Sequence, residues 1–237
     1  MASKNYKSEL DDVFKKFHRF AKASQYRERE KDRISNATRA SINNSVSASS
    51  ASGEKRQELL SDARENADKA AEILLQLHHR LINDFGRFWR QDLITHQQYG
   101  IPEQEIIEAF SILAILSQKP IPTRTITFRM REPDEYGKTR SSLTVSPEPY
   151  VFGLLDCVGE LDRILHDSLK NNQKEFLKQI LKKMEEMYAK LERFKEFPNR
   201  KDPLIKTKSL ANLKNRIDVC GGQVHRCRIL LQNKGIL

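Results

Sequence analysis

The stretch LTVSPEPYVFGLLDCVGELDR, from Leu143 to Arg163, carries the densest pattern of this chain. Its prolines favour the start of a helix, and Asp156 and Glu160 follow in that helix four residues apart. This spacing places both carboxylates on one helical face. Glycines at positions 153 and 159 leave room for another helix to approach closely. The stretch therefore predicts a helix that presents two acids beside a near neighbour.

Helical periodicity continues on both sides of this stretch, and apolar residues recur at steps of three and four. It predicts helices over residues 6–42, 54–84, 102–117, 150–168 and 172–197, and a last helix after Pro203. The Ser-rich stretch 43–53 is expected to be a loop. Residues 118–149 form an irregular connection, in which 123–130 and 140–145 alternate like the strands of a small hairpin. The sum is an all-α protein of six or seven long helices, in one domain over residues 1–237.

Length and composition limit the class of protein. A chain of 237 residues suits a single domain with a sizeable core. No stretch reaches the roughly 18 to 20 uncharged apolar residues that a membrane span needs, and the N-terminus lacks the apolar core of a signal peptide. Three cysteines in a chain this long indicate a reduced protein, for which we expect a cytoplasmic or, in a eukaryote, nuclear location. Cys220 and Cys227, with His225 between them, fit no standard zinc spacing and read as ordinary helix residues.

Charge is distributed unevenly along the chain. Residues 1–40 carry a net charge of +5 and residues 170–237 one of +10, whereas residues 41–169 carry −5. Basic surfaces hold phosphates, and a carboxylate cluster holds metal. Lys-rich helices are also common as solvated surfaces, so charge alone leaves nucleic-acid binding an open question.

The pattern from Val145 to Arg163 resembles the signature helix of the translin family, in particular of its catalytic type, translin-associated factor X. The family's pattern is roughly V-T/S-P, then Y-x-x-G-x-x-D-x-x-G-E-L-x-R. The matching residues are Val145, Ser146, Pro147, Tyr150, Gly153, Asp156, Gly159, Glu160, Leu161 and Arg163. The resemblance implies the family's all-α fold and its assembly as a hollow octamer, either of this chain alone or with a translin partner chain.

A second match lies at the start of the third helix, where the family reads L-Q-E-Y-V-E-A. Here Gln104, Glu105, Glu108 and Ala109 stand in register, and the family's aromatic is absent at Ile106 and Ile107. The resemblance implies that the metal-binding catalytic carboxylates are Glu105, Glu108, Asp156 and Glu160. A cluster of oxygen ligands suits Mg²⁺ or Mn²⁺. The implied reaction is metal-dependent endonucleolytic cleavage of single-stranded RNA.

The residues themselves leave other interpretations open. Asp156, Glu160, Arg163 and Asp167 also fit a solvated polar stripe, and Glu105 and Glu108 fit an acidic helix N-terminus favoured by the helix dipole. The alternative function is a non-catalytic scaffold that binds single-stranded nucleic acid. A third is a helical adaptor with no nucleic-acid role.

The resemblance also implies contacts to the nucleic acid. The basic segment of the first helix is similar to that of the family, and it makes Arg33 and Arg39 candidates for RNA contact. His96 lies in a region where family members place an RNA-contacting histidine. The expected partner is single-stranded RNA, with single-stranded DNA as a further candidate, and no membrane partner is expected.

Overall fold

The structure, a computed structural model, describes residues 2–86, 101–133, 136–169, 173–196 and 207–237. Within these ranges it contains six α-helices and one β-hairpin, so the expected all-α architecture is confirmed. The helices are α1 (Ala2–Ser50), α2 (Gly53–Phe85), α3 (Ile101–Leu116), α4 (Pro147–Ser168), α5 (Lys174–Leu191) and α6 (Thr207–Asn233), and a 3₁₀ turn, Glu192–Glu196, follows α5. None of the helices in the described part of the chain is both long enough and apolar enough to cross a membrane.

The first two helices form a long antiparallel pair, and here the loop prediction over residues 43–53 is wrong. α1 continues to Ser50, and only residues 51 and 52 separate it from α2. Ser41, Ser45 and Ser49 are buried at steps of four residues on α1. Serine is a poor helix former in isolation because it competes for backbone hydrogen bonds. A buried face of small side chains lets neighbouring helices approach, so tertiary packing overrides that local preference.

α3 is apolar on nearly every side, and it lies in the centre of the protein. Its buried residues contact two groups of apolar side chains. Ile106, Ile107 and Phe110 pack with α1, α2 and the hairpin. Ile112, Ile115 and Leu116 pack with α4, α5 and α6. A helix that is hydrophobic on every side is normally buried, and α3 follows that rule.

The predicted hairpin is present within the irregular connection. Strands β1 (Thr125–Arg129) and β2 (Arg140–Thr144) pair antiparallel, with Thr125 opposite Thr144. Ile126, Phe128 and Leu143 are buried, whereas the alternate residues of both strands face outward, as the period of two predicts.

α4 carries the signature pattern and is held at its start by an acid that the sequence analysis did not single out. Glu103 is buried, and its Oε2 accepts a hydrogen bond from the Ser146 backbone N–H at 2.8 Å. Its Oε1 lies 3.5 Å from Nε2 of buried His78 on α2. These contacts connect the start of α3 both to the residue that precedes α4 and to α2.

α5 and α6 pack against α4 and against each other. Leu177, Ile180, Leu181, Met184 and Leu191 are buried on one face of α5, as the periodicity predicts. α6 runs unbroken through Gly221 and Gly222. A Cβ at Gly221 would lie 2.6 Å from the Tyr188 hydroxyl, so this glycine allows α6 to lie close to α5.

Candidate functional site

The two helices that carry the predicted acids touch each other at Gly153. A Cβ at this position on α4 would lie 2.6 Å from the backbone oxygen of Gln104 and 2.8 Å from Cβ of Ile107, both on α3. Real Cβ atoms do not approach other atoms so closely, so only glycine permits this helix contact. Because the contact lies within one turn of Glu108 and of Asp156, it brings the acids of the two helices together.

Three of the four predicted acids line one pocket. Glu108, Asp156 and Glu160 border a cavity of about 450 Å³ between α3, α4 and α6. α6 contributes Arg216 and Gln223 to its wall. The structure therefore assembles carboxylates that are 48 or more positions apart in sequence beside a cationic side chain.

Glu108 has the most unusual environment in this pocket. The pKa of its carboxyl is raised from 4.5 to about 7, first by burial and then by the negative charges of Glu160 and Glu105. Arg216 and Arg163 act in the opposite direction and lower the pKa. A carboxyl that is desolvated among like charges favours either a proton or a bound cation. The repulsion also shows that Glu105 lies near the pocket, although it does not line it.

Asp156 is held on both of its oxygens. Arg216 Nη2 pairs with Oδ1 of Asp156, and Gln104 Nε2 donates a hydrogen bond to Oδ2. The Arg216 guanidinium also lies over the Phe152 ring, 4.8 Å from its centroid, where a cation–π contact stabilises it. Burial lowers the pKa of Arg216, but arginine remains charged in proteins. Arg216 is thus an internal counter-ion of the acidic pocket.

The other two acids also have partners in the protein. Oε2 of Glu105 accepts hydrogen bonds from Ser35 Oγ at 2.8 Å and from Thr38 Oγ1 at 3.2 Å, both on α1. Oε2 of Glu160 accepts from Arg163, at 2.8 Å from Nε and 2.6 Å from Nη2. Glu105 therefore faces α1 at the edge of the site, whereas Glu160 is paired along its own helix.

The family of the chain follows from a comparison with protein-family models, which matches residues 17–228 to the translin family. The chain belongs to the translin family. No curated protein matches it. Two solved structures share its fold. The complex of AfC3PO with duplex RNA has 18% sequence identity and a TM-score of 0.52, over 98% of this chain and 100% of that chain. The crystal structure of AfC3PO has 18% identity and a TM-score of 0.53, over 96% and 94%. The translin-like fold is thereby confirmed.

In this translin-family chain one predicted nucleic-acid contact, Arg39, lies on the face of α1 that meets Glu105. Arg39 is exposed, and it follows Ser35, the partner of Glu105, by four residues, so the two share a face of α1. Arg33 is also exposed, and its Nη1 lies 2.6 Å from Oε2 of Glu30. His96 lies outside the described residues.

The donor set of the pocket fits a hard divalent cation. Carboxylate and amide oxygens are the ligands that Mg²⁺ and Mn²⁺ prefer, and the mutual repulsion at Glu108 is relieved when a cation binds. Within the described residues, no three of the four carboxylates have oxygens that all lie within 4.8 Å of one another. Arg216 occupies the position of the counter-charge instead.

The partners that come from distant parts of the chain carry no local sequence signal. Arg216 is one of three arginines on α6, and no local pattern marks it. Gln104 lies next to a predicted acid, but nothing in its spacing indicates a bond to Asp156.

Proposed function

We propose that this chain is a metal-dependent endoribonuclease that acts on single-stranded RNA, of the translin-associated-factor-X type. The observation that carries the proposal is the pocket of Glu108, Asp156 and Glu160, in which Glu108 is held among like charges. Maintaining mutually repelling, partly desolvated carboxylates costs stability. A cation-binding role accounts for that cost, whereas a solvated polar stripe does not.

Each residue of the pocket has a distinct role in this proposal. Glu108, Asp156 and Glu160 hold Mg²⁺ or Mn²⁺, and Glu105 adds negative charge from the edge. A metal held there would supply activation of a water and neutralisation of the charge that develops on phosphorus. Arg216 holds Asp156 in place, and with a cation on the acids its guanidinium would be available to a phosphate of the strand. Gln104 positions the second oxygen of Asp156.

The nucleic-acid partner is supported by the charge distribution and by the shared fold. AfC3PO has been crystallised with duplex RNA. We propose that this chain prefers single strands and binds them through basic residues of α1, Arg33 and Arg39 among them. We also propose the family's hollow octamer, formed by this chain alone or with a translin chain, with the pockets facing the interior.

The test is cleavage of a labelled single-stranded RNA by the purified chain, with Mg²⁺ or with EDTA. We expect cleavage only with the metal. Asp156→Asn and Glu108→Gln keep the shape of each side chain and should abolish cleavage, while RNA binding stays within about twofold. Glu175→Gln changes an exposed glutamate of α5 and serves as the matched control. Full activity of the Asp156→Asn, Glu108→Gln double variant would refute the catalytic assignment.

One observation favours the second candidate, a non-catalytic scaffold that binds single-stranded nucleic acid. Asp156 is already neutralised by Arg216, and Glu160 by Arg163, so two of the acids have protein partners. A scaffold binds RNA equally with Mg²⁺ and with EDTA and cleaves it in neither. The same assay therefore separates the two functions.

A further inference from the structure

A second cluster of metal-ligand residues lies between α4 and α6, outside the carboxylate pocket. Asp162 and His166 are four residues apart on α4, and Cys227 lies on α6. One ligand atom from each lies within 4.8 Å of the other two. Cys227 Sγ is 2.9 Å from Oδ1 of Asp162, and His166 Nε2 is 3.4 Å from the same oxygen. Among the described residues, this is the group of three that comes together so closely.

We propose that Asp162, His166 and Cys227 form a binding site for Zn²⁺ or a similar transition-metal ion that links α4 to α6. Carboxylate oxygen, imidazole nitrogen and thiolate sulfur are the ligands of protein zinc sites. Zinc bonds of about 2.0 to 2.3 Å at tetrahedral angles separate neighbouring ligand atoms by roughly 3.3 to 3.8 Å. The two distances to Asp162 Oδ1 differ from this range by a few tenths of an ångström at most.

Burial divides the cluster into a closed side and an open side. Cys227 is fully buried, and the Asp162 side chain is 17% exposed. The His166 side chain is 53% exposed, so a metal ion can enter from its side. With three protein ligands, the fourth position of a tetrahedral ion is left for water or a small ligand.

The site is chemically and spatially distinct from the carboxylate pocket. Asp162 follows Glu160 by two positions, which is about 200° around the helix, so the two acids point to different sides of α4. A buried thiol is a soft ligand, which Zn²⁺ binds well and Mg²⁺ does not. The two sites share no residue, and each can be removed without the other.

In the metal-free chain the thiol is protonated. Burial and the neighbouring Asp162 carboxylate raise the pKa of Cys227, and Arg226 lowers it by a smaller amount. The S–H donates a hydrogen bond to Asp162 in this state. Coordination replaces that proton with the metal, so one proton is released per ion bound. The hydrogen bond holds two of the three ligands together before the metal arrives.

The experiment is a titration of the intact chain with Co²⁺ and Zn²⁺ in the Asp156→Asn, Glu108→Gln background, which excludes binding to the carboxylate pocket. We expect one Co²⁺ per chain, with a thiolate-to-cobalt charge-transfer absorption that Zn²⁺ displaces. His166→Asn should weaken metal binding by at least about 10- to 100-fold, because the loss of an outer-shell partner alone costs that much. His225→Asn changes an exposed histidine of α6 and should leave binding unchanged.

Cysteine variants identify the sulfur. Cys227→Ser should remove the charge-transfer absorption, whereas Cys220→Ser, at a second buried cysteine of α6, should keep it. If Cys227→Ser does not fold, the metal affinity of the His166→Asn variant still tests the site, because His166 is exposed. Absence of the thiolate absorption in the parent chain would overturn the site. Binding that is equal in the His166→Asn and His225→Asn variants would overturn it as well.

Discussion

Replacing Glu108 by glutamine should stabilise the metal-free protein at neutral and alkaline pH. The pKa of this carboxyl is raised from 4.5 to about 7, so between these values the folded chain holds a proton that the unfolded chain has lost. Stability therefore falls as pH rises through this window, and the loss is complete above about pH 7. Glutamine mimics the protonated carboxyl and removes this loss.

The size of the effect follows from the pKa difference. One pKa unit corresponds to about 1.4 kcal/mol, so a rise from 4.5 to about 7 corresponds to a loss of about 3 kcal/mol in the free energy of unfolding. We expect Glu108→Gln to be more stable than the parent by up to about 3 kcal/mol near pH 8, and equal to it near pH 4.5. A divalent cation should close most of this gap, because at a concentration of about 100 times Kd it adds about 2.7 kcal/mol to the parent alone.

The assay is urea unfolding at about pH 4.5, 6 and 8, first in EDTA and then in Mg²⁺, with Glu175→Gln as the control. An exposed substitution of this kind should shift stability by no more than about 0.5 kcal/mol at any pH. A Glu108→Gln variant that is less stable than its parent at pH 8 in EDTA would refute the charge repulsion inferred for the pocket. A variant that Mg²⁺ stabilises as much as the parent would remove Glu108 from the metal site.

Three further outcomes are expected. Gly153→Ala should destabilise the chain by about 1 to 3 kcal/mol because its Cβ meets α3 at 2.6 Å, whereas Gly159→Ala, with its nearest atom at 3.6 Å, should be neutral or stabilising in thermal unfolding. Single-stranded RNA affinity should fall steeply with salt, and Arg33→Ala with Arg39→Ala should reduce the slope of log K against log salt by about 1.4, unlike Arg228→Ala on α6. Light scattering should show a large assembly, and a stable 27.6 kDa monomer at micromolar concentration would contradict the octamer.

The elements of the fold were predictable where side-chain periodicity alone determines them. This is the case for the apolar faces of α2 and α5 and for the alternation of Ile126, Phe128 and Leu143. Such periodic apolar residues can be buried against any apolar surface. The end of α1 was not predictable, since Ser45 and Ser49 favour a loop locally and are helical here because they are buried against neighbouring helices. The residues that bury these serines lie in other parts of the chain, so the local sequence does not reveal the burial.

The candidate site, too, was only partly predictable from the sequence. Spacing predicts that Asp156 and Glu160 share a helical face, and the resemblance adds Glu108 as their neighbour. The bonds of Glu105 to Ser35 and Thr38 join residues about 70 positions apart and leave no mark on the local sequence. Cys227 is a similar case, because its hydrogen-bond partner Asp162 lies 65 positions earlier in the sequence.

Because Arg216 lies on α6, it is synthesised after the acids of α3 and α4 whose charge it neutralises. Arg216 follows Glu160 by 56 positions. At a synthesis rate of about 5 to 20 residues per second, the acids of α3 and α4 therefore wait roughly 3 to 11 seconds for this counter-ion. During that interval the contact between α3 and α4 carries its charge repulsion without Arg216. A nascent chain that ends before α6 is therefore expected to hold this contact more firmly in the presence of a divalent cation, the same ion that the proposed function assigns to the finished site.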